Sequence, residues 1–192
     1  MEEHDLSRQA NRREMLRLSG VGVLAGIAGS ALVTGQAPAA DVAASAIAIS
    51  YASWIHGHSM QIEYPDRIAS QRRAGFSINV EGKSGTSNWF HFAIPTPVIV
   101  NDVRLRADSV LLRFTTGSVD AFVDNVHVYD GEILIAAHND LGLSLSNALA
   151  RFAVPNRPIV QWGLGISIGV GFGVESMNHH MDFIAAGCDF VV

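Results

Sequence analysis

From about Ile47 onward, apolar and polar positions alternate with a period of two, and turn-forming residues interrupt them roughly every ten residues, as in a sandwich or barrel. "FSINV" leads into "EGKSG", and "TSNWFHFAI" stops at Pro95 and Pro97. "VLLRF" gives way to "TTGS", and "DNVHVY" reaches Asp130-Gly131 before "EILIAA". A D-G pair between two β-rich runs predicts a hairpin, because both residues tolerate the positive φ of primed turns. Roughly nine or ten strands follow from these runs. Residues 139–152 read equally as a strand or a short helix. The expectation is all-β: a single antiparallel β-sandwich of jelly-roll type over residues 49–192.

One predicted strand, residues 162–174, is unusual. Trp162, Leu164, Ile166, Ile168, Val170, Phe172 and Val174 share one parity, whereas Gly163, Gly165, Ser167, Gly169, Gly171 and Gly173 share the other. Alternate strand residues face opposite sides, so one face is large and apolar and the other nearly bare backbone. Glycine in a strand marks a bend, a bulge or a close approach. Three occupants fit the bare face: aromatic side chains from neighbouring strands, a second subunit in a homo-oligomer, or a flat ligand. A phosphate loop is excluded, because the spacing is not G-x-G-x-x-G and no helix follows.

Composition narrows the class. The 192 residues are 48% hydrophobic and 16% charged, which suits one globular domain. The 13 basic and 18 acidic side chains give a net charge of -5, without the basic excess that nucleic-acid binding needs. Cys188 is the single cysteine, so no intramolecular disulfide forms. It reads most simply as a small buried hydrophobe, the alternatives being a free thiol or an intermolecular bond.

The N-terminal segment "NRREMLRLSGVGVLAGIAGSALVTGQAPAA" has a basic part, a Gly/Ala-rich apolar part from Leu18 to Val33, and small residues at Ala37 and Ala39. Arg12, Arg13, Met15, Leu16 and Arg17 resemble the twin-arginine signal, with Asn11 where that signal more often has Ser or Thr. The resemblance implies a signal peptide over residues 1–39, processed near Ala39, then a linker over 40–48. The twin-arginine export machinery would be a partner, and the folded protein would end in the periplasm or outside the cell. The alternative is an uncleaved membrane anchor. No cysteine near residue 40 marks a lipoprotein.

Candidate chemistry centres on histidine. In "WIHGHSMQIEY", His56, His58 and then Glu63 follow the ligand order of a cupin-type site for a divalent transition metal. Three features oppose it. Ser50 and Ser70 stand where cupins carry glycine, the second cupin motif has no counterpart, and parity on an unbroken strand puts Glu63 on the opposite face. A turn at Gly57 would remove the last objection. The plainer expectation is a turn or half-buried strand with solvated histidines and no cofactor.

His91 shares a face with Trp89, and His127 shares one with Asn125 and Tyr129. These faces are expected side by side on the outside of the sandwich. There they form either an ordinary solvated surface or one that stacks on sugars and bonds their hydroxyls, with Trp89, His91, His127 and Tyr129 as the contacts. The adjacent His179 and His180 fall in a turn. Nucleophilic catalysis finds no G-x-S-x-G motif and no histidine beside Cys188. Spacing alone does not decide whether Glu63, Glu81, Asp120, Asp124, Asp130 and Glu132 meet as paired carboxylates.

The segments "SWIHGHSMQIEYPDR", "NWFHFAIPTPVIV", "VHVYDGE", "GLGISIGVGF" and "AAGCDF" resemble a small bacterial β-domain family known only as uncharacterised, over most of residues 50–190. That resemblance implies a self-contained β-sandwich and no particular activity. The functional expectation is a non-catalytic binding or interaction module, with a carbohydrate or other small ligand. The rivals are a cupin-like metalloprotein using His56, His58 and Glu63, and a structural subunit assembling through residues 162–174.

Overall fold

A computed structural model describes residues 48–144, 148–175 and 178–192. Residues 1–39, expected to be a signal peptide, and most of the expected linker over 40–48 lie outside the described residues.

Two antiparallel sheets face each other. In the first, β11 (Ala148–Ala153), β8 (Arg106–Thr116), β13 (His180–Val191), β4 (Ser77–Gly82) and β3 (Ile68–Ala74) lie in that order. A further strand, β1 (Tyr51–His56), pairs with β13 from Ala185 to Phe190, beyond the stretch that β4 pairs. In the second sheet the order is β10 (Ile133–His138), β9 (Ala121–Asp130), β12 (Leu164–Phe172), β5 (Thr86–Ala93) and β2 (Gln61–Ile62). A short hairpin, β6 (Ile99–Val100) and β7 (Val103–Arg104), stands apart from both. The orders β11–β8–β13–β4 and β10–β9–β12–β5 are those of a jelly roll.

The apolar parity makes the core. Phe183 of β13 meets Phe90 and Phe92 of β5 across the two sheets, at ring-centroid distances of 4.9 and 6.0 Å. Each such buried ring contributes roughly 1.5–3 kcal/mol. Leu164, Ile166, Ile168, Val170 and Phe172 all point inward with them. The Asp130-Gly131 hairpin forms as expected, with Gly131 at φ +57° joining β9 to β10. Within the ambiguous segment 139–152, residues 139–144 are non-helical with one bridge at Leu143, and from Ala148 the chain is strand, β11, paired with β8.

One expectation is corrected. The glycine-rich strand runs 164–172, not 162–174, and Trp162 is 72% exposed. The cause is local: Asp130 captures the amides of Gln161, Trp162 and Gly163, and Gly163 takes φ +139°, so the backbone there cannot extend. Residues 54–64, left open between an unbroken strand and a chain turned at Gly57, take the turn. β1 ends at His56, Gly57–Ser59 form a 3-10 turn, and the chain crosses to the other sheet as β2. Gly57 makes this turn fit, since a Cβ there would overlap the Phe183 carbonyl of β13.

Candidate functional site

The outer face of the second sheet is organised by strand register. Ser167 of β12 is the cross-strand partner of His91 on β5 and of His127 on β9. Gly169 lies likewise between Trp89 and Asn125, and Gly165 between Ala93 and Tyr129. The two polar-aromatic faces lie on the same side of the sheet with β12 between their strands, and its small residues let the side chains of the two flanks meet across it. A Cβ on Gly169 would sit 3.2 Å from Trp89 Cη2 and 3.0 Å from Asn125 Nδ2. Aromatic side chains from neighbouring strands thus cover the bare face at Gly169 and, through Phe122, at Gly171, but not at Gly165.

Glu63 joins this face from the chain after β2. Its amide donates to the Trp89 carbonyl at 3.0 Å, and Tyr64 exchanges hydrogen bonds with buried Asn88 at 3.1 and 2.8 Å. Arg67 lies over the Tyr64 ring at 4.2 Å and bonds the Ser87 carbonyl, so segment 63–67 is held along β5. From there Glu63 Oε2 accepts from His91 Nε2 at 2.9 Å, while His91 Nδ1 is 2.9 Å from Ser167 Oγ. A hydrogen bond from the Tyr64 side chain holds the Glu63 carboxyl below its ordinary value, with His91 and the Arg67 charge adding to it. Glu63 is thus an acceptor only, so in the neutral imidazole the His91 proton sits on Nε2 and Nδ1 accepts from the Ser167 hydroxyl.

Across β12, His127 Nε2 bonds Asn139 Oδ1 at 2.8 Å, and its ring lies 5.0 Å from Trp89 and 6.4 Å from Tyr129. Glu63, Trp89, His91, His127, Tyr129 and Ser167 line a shallow depression of about 130 Å³. The His91 and Glu63 side chains are 38% and 37% exposed within it. Sequence reading passed over Ser167, although it is the one hydroxyl among the outward glycines of β12.

The proposed metal ligands do not come together. His56 and His58 sit beside the first sheet with ring centroids 4.3 Å apart, while Glu63 is engaged on the second. His56 Nδ1 accepts from the His58 amide, and His58 Nε2 bonds the Ala74 carbonyl, so both imidazoles cap local backbone. Among the described residues no three His, Cys, Asp or Glu side chains are grouped to hold a metal ion. Three of the carboxylates left open by spacing are engaged separately, Glu63 by His91. Asp120 bonds buried His179 at 2.7 Å, and Asp130 holds its loop. A larger depression of about 420 Å³ lies against the first sheet, where Arg157 pairs with Asp108 and Arg151 with Asp189. Its cations and anions neutralise one another.

No curated protein matches the chain. Solved structures similar to it include a low-affinity xylan-binding module, CBM86, from Roseburia intestinalis. It is 12% identical with a TM-score of 0.45, over 73% of this chain and 96% of that one. A cyclase from Fischerella sp. TAU is 12% identical with a TM-score of 0.42, over 71% and 87%. A family 29 carbohydrate-binding module from Piromyces equi is 11% identical with a TM-score of 0.38, over 72% and 90%. These likenesses are too distant to transfer a ligand. Closer to home, the model of a family of unknown function (DUF6623) matches residues 49–191, and the chain belongs to that family.

Proposed function

We propose that this protein is an exported binding module whose second sheet takes a carbohydrate on its outer face. The observation that carries the reading is the depression itself. Trp89 and Tyr129 offer aromatic surface to the C–H faces of a sugar ring. Glu63, His91, His127 and Ser167 surround them with hydroxyl-binding groups. Ligand sites combine apolar or aromatic lining with a few placed polar groups in this way. At about 130 Å³ the depression is far smaller than an enclosed ligand pocket, so it suits one ring of a longer chain lying on the surface. The expected affinity is on the order of millimolar, about -4 kcal/mol. Export rests on Arg12, Arg13 and the apolar stretch that follows; with both arginines replaced by lysine, the protein is expected to stay in the cytoplasm.

The test is titration with a panel of soluble polysaccharides, followed by tryptophan fluorescence and by retardation in polysaccharide-containing gels. At least one polysaccharide should shift the emission, and Trp89→Ala should weaken binding by about tenfold or more, the equivalent of 1.4 kcal/mol. Binding that survives unchanged in Trp89→Ala would move the site elsewhere, and no binding across the panel would remove the carbohydrate reading.

A further inference from the structure

The geometry points to a second capacity of this face: Ser167 Oγ is a nucleophile toward acyl esters, with His91 as its base and Glu63 as the group that orients the base. Three observations converge. Ser167 Oγ and His91 Nδ1 are 2.9 Å apart, within reach for proton transfer. The opposite ring nitrogen is held at 2.9 Å by Glu63, the arrangement in which a third group fixes the tautomer of a nucleophile's base. Finally, Ser167 opens into a solvent-accessible depression that can admit a small acyl group.

The step balances without any co-reactant beyond water. Ser167 Oγ attacks the ester carbonyl carbon as its proton passes to His91 Nδ1, and the carbonyl π electrons move to oxygen. Glu63 stabilises the imidazolium from the Nε2 side. Collapse of the oxyanion breaks the ester C–O bond, and His91 returns the proton to the departing alkoxide. Water then attacks the acyl-serine by the same route, releasing a carboxylic acid and restoring the hydroxyl. That the alcohol is a sugar rests on the carbohydrate reading above; the serine array itself does not.

Ser167 sits mid-strand between two ladders, so backbone amides there are committed to β5 and β9. Donors to the developing oxyanion must come from side chains on this face, of which the Tyr129 hydroxyl lines the depression, His127 having its Nε2 proton on Asn139 Oδ1. The expected acceleration is therefore the general-base contribution, about 10²–10⁴, without the further gain of a backbone oxyanion hole.

The experiment is labelling of the full chain with a small fluorophosphonate, with the adduct mapped by peptide mass spectrometry. An adduct on Ser167, absent in Ser167→Ala and formed about 10²-fold more slowly in His91→Ala, is the expected result. No adduct on Ser167, or one formed as fast in His91→Ala, overturns it. Ser167→Cys supplies a second readout, because Cys188 is fully buried and silent. Its alkylation by iodoacetamide at neutral pH should be about tenfold or more faster than in Ser167→Cys/His91→Ala, through thiolate stabilisation by the imidazole. Equal rates in the two variants overturn the array independently. Labelling of Ser167 with no polysaccharide binding would keep the array and remove the sugar; binding without labelling would do the reverse.

Discussion

Trp89 lies against Gly169, with its Cη2 only 3.2 Å from where a Cβ on the glycine would stand. The indole can lie down on β12 because no side chain stands there. Gly171 serves Phe122 in the same way, whereas around Gly165 a Cβ would meet nothing within 4 Å. Glycines of one strand thus do different work. Gly165→Ala is expected to fold normally and to gain roughly 0.4–1 kcal/mol by restricting the unfolded chain. Gly169→Val should instead lift Trp89 and weaken polysaccharide binding while the fold persists. Thermal melts paired with the fluorescence titration check both, and a Gly169→Val protein that binds normally would disconnect Trp89 from the ligand.

In the His-Gly-His run, the glycine matters more to stability than either histidine. A Cβ on Gly57 would overlap the Phe183 carbonyl, where neither backbone can yield without opening β1 from β13. Gly57→Ala should cost at least the ~1–3 kcal/mol of an overpacked interior. His58→Ala removes one exposed bond to the Ala74 carbonyl and should cost no more than about 0.5–1 kcal/mol. Urea denaturation of the two variants gives the ranking directly, and a larger loss from His58→Ala would contradict it.

The fold was legible because burial has a period. Leu164 to Phe172 announce a strand with one buried face, and Asp130-Gly131 announces the hairpin before β10. The strand's limits were not legible, since they depend on Asp130 reaching the amides of residues 161–163, a contact 31 or more positions away in sequence. The site divides in the same way. Parity put Trp89 with His91 and His127 with Tyr129, but only long-range register shows β12 between the two pairs. Glu63 is 28 residues from His91, and the link depends on a chain that leaves the first sheet at Gly57 and enters the second at Gln61. No local pattern encodes that crossing, so Glu63 read as a partner of the nearer histidines.

Asp130 should make the protein acid-sensitive. The residue is only 4% exposed, and burial alone would raise its pKa. The amides of Gly163, Gln161 and Trp162 outweigh that burial and hold it below the ordinary value. A carboxyl with a depressed folded pKa contributes stability above its unfolded pKa of about 3.9, and loses it as pH falls through the folded value. Asp130→Asn keeps one acceptor oxygen and gives up the charge, so it should cost about 1.5–3 kcal/mol near pH 7. The gap between wild type and variant should then shrink as pH drops below about 4. Paired melts across that range would show it; a constant gap would mean the loop is not held by charge.

Cys188 lies mid-strand in β13, between Ser53 of β1 and Val110 of β8, with no exposed surface. Burial pushes its thiol pKa far up, and the neighbouring Asp189 adds to the rise. Disulfide exchange and alkylation both need thiolate and access, and this site offers neither. The native protein should therefore leave a chromogenic disulfide reagent unreacted and run as the same species with or without reductant. In urea the single cysteine should titrate fully. Rapid reaction under native conditions would mean that β1 opens from β13 readily, and would remove the silent background on which the Ser167→Cys experiment depends.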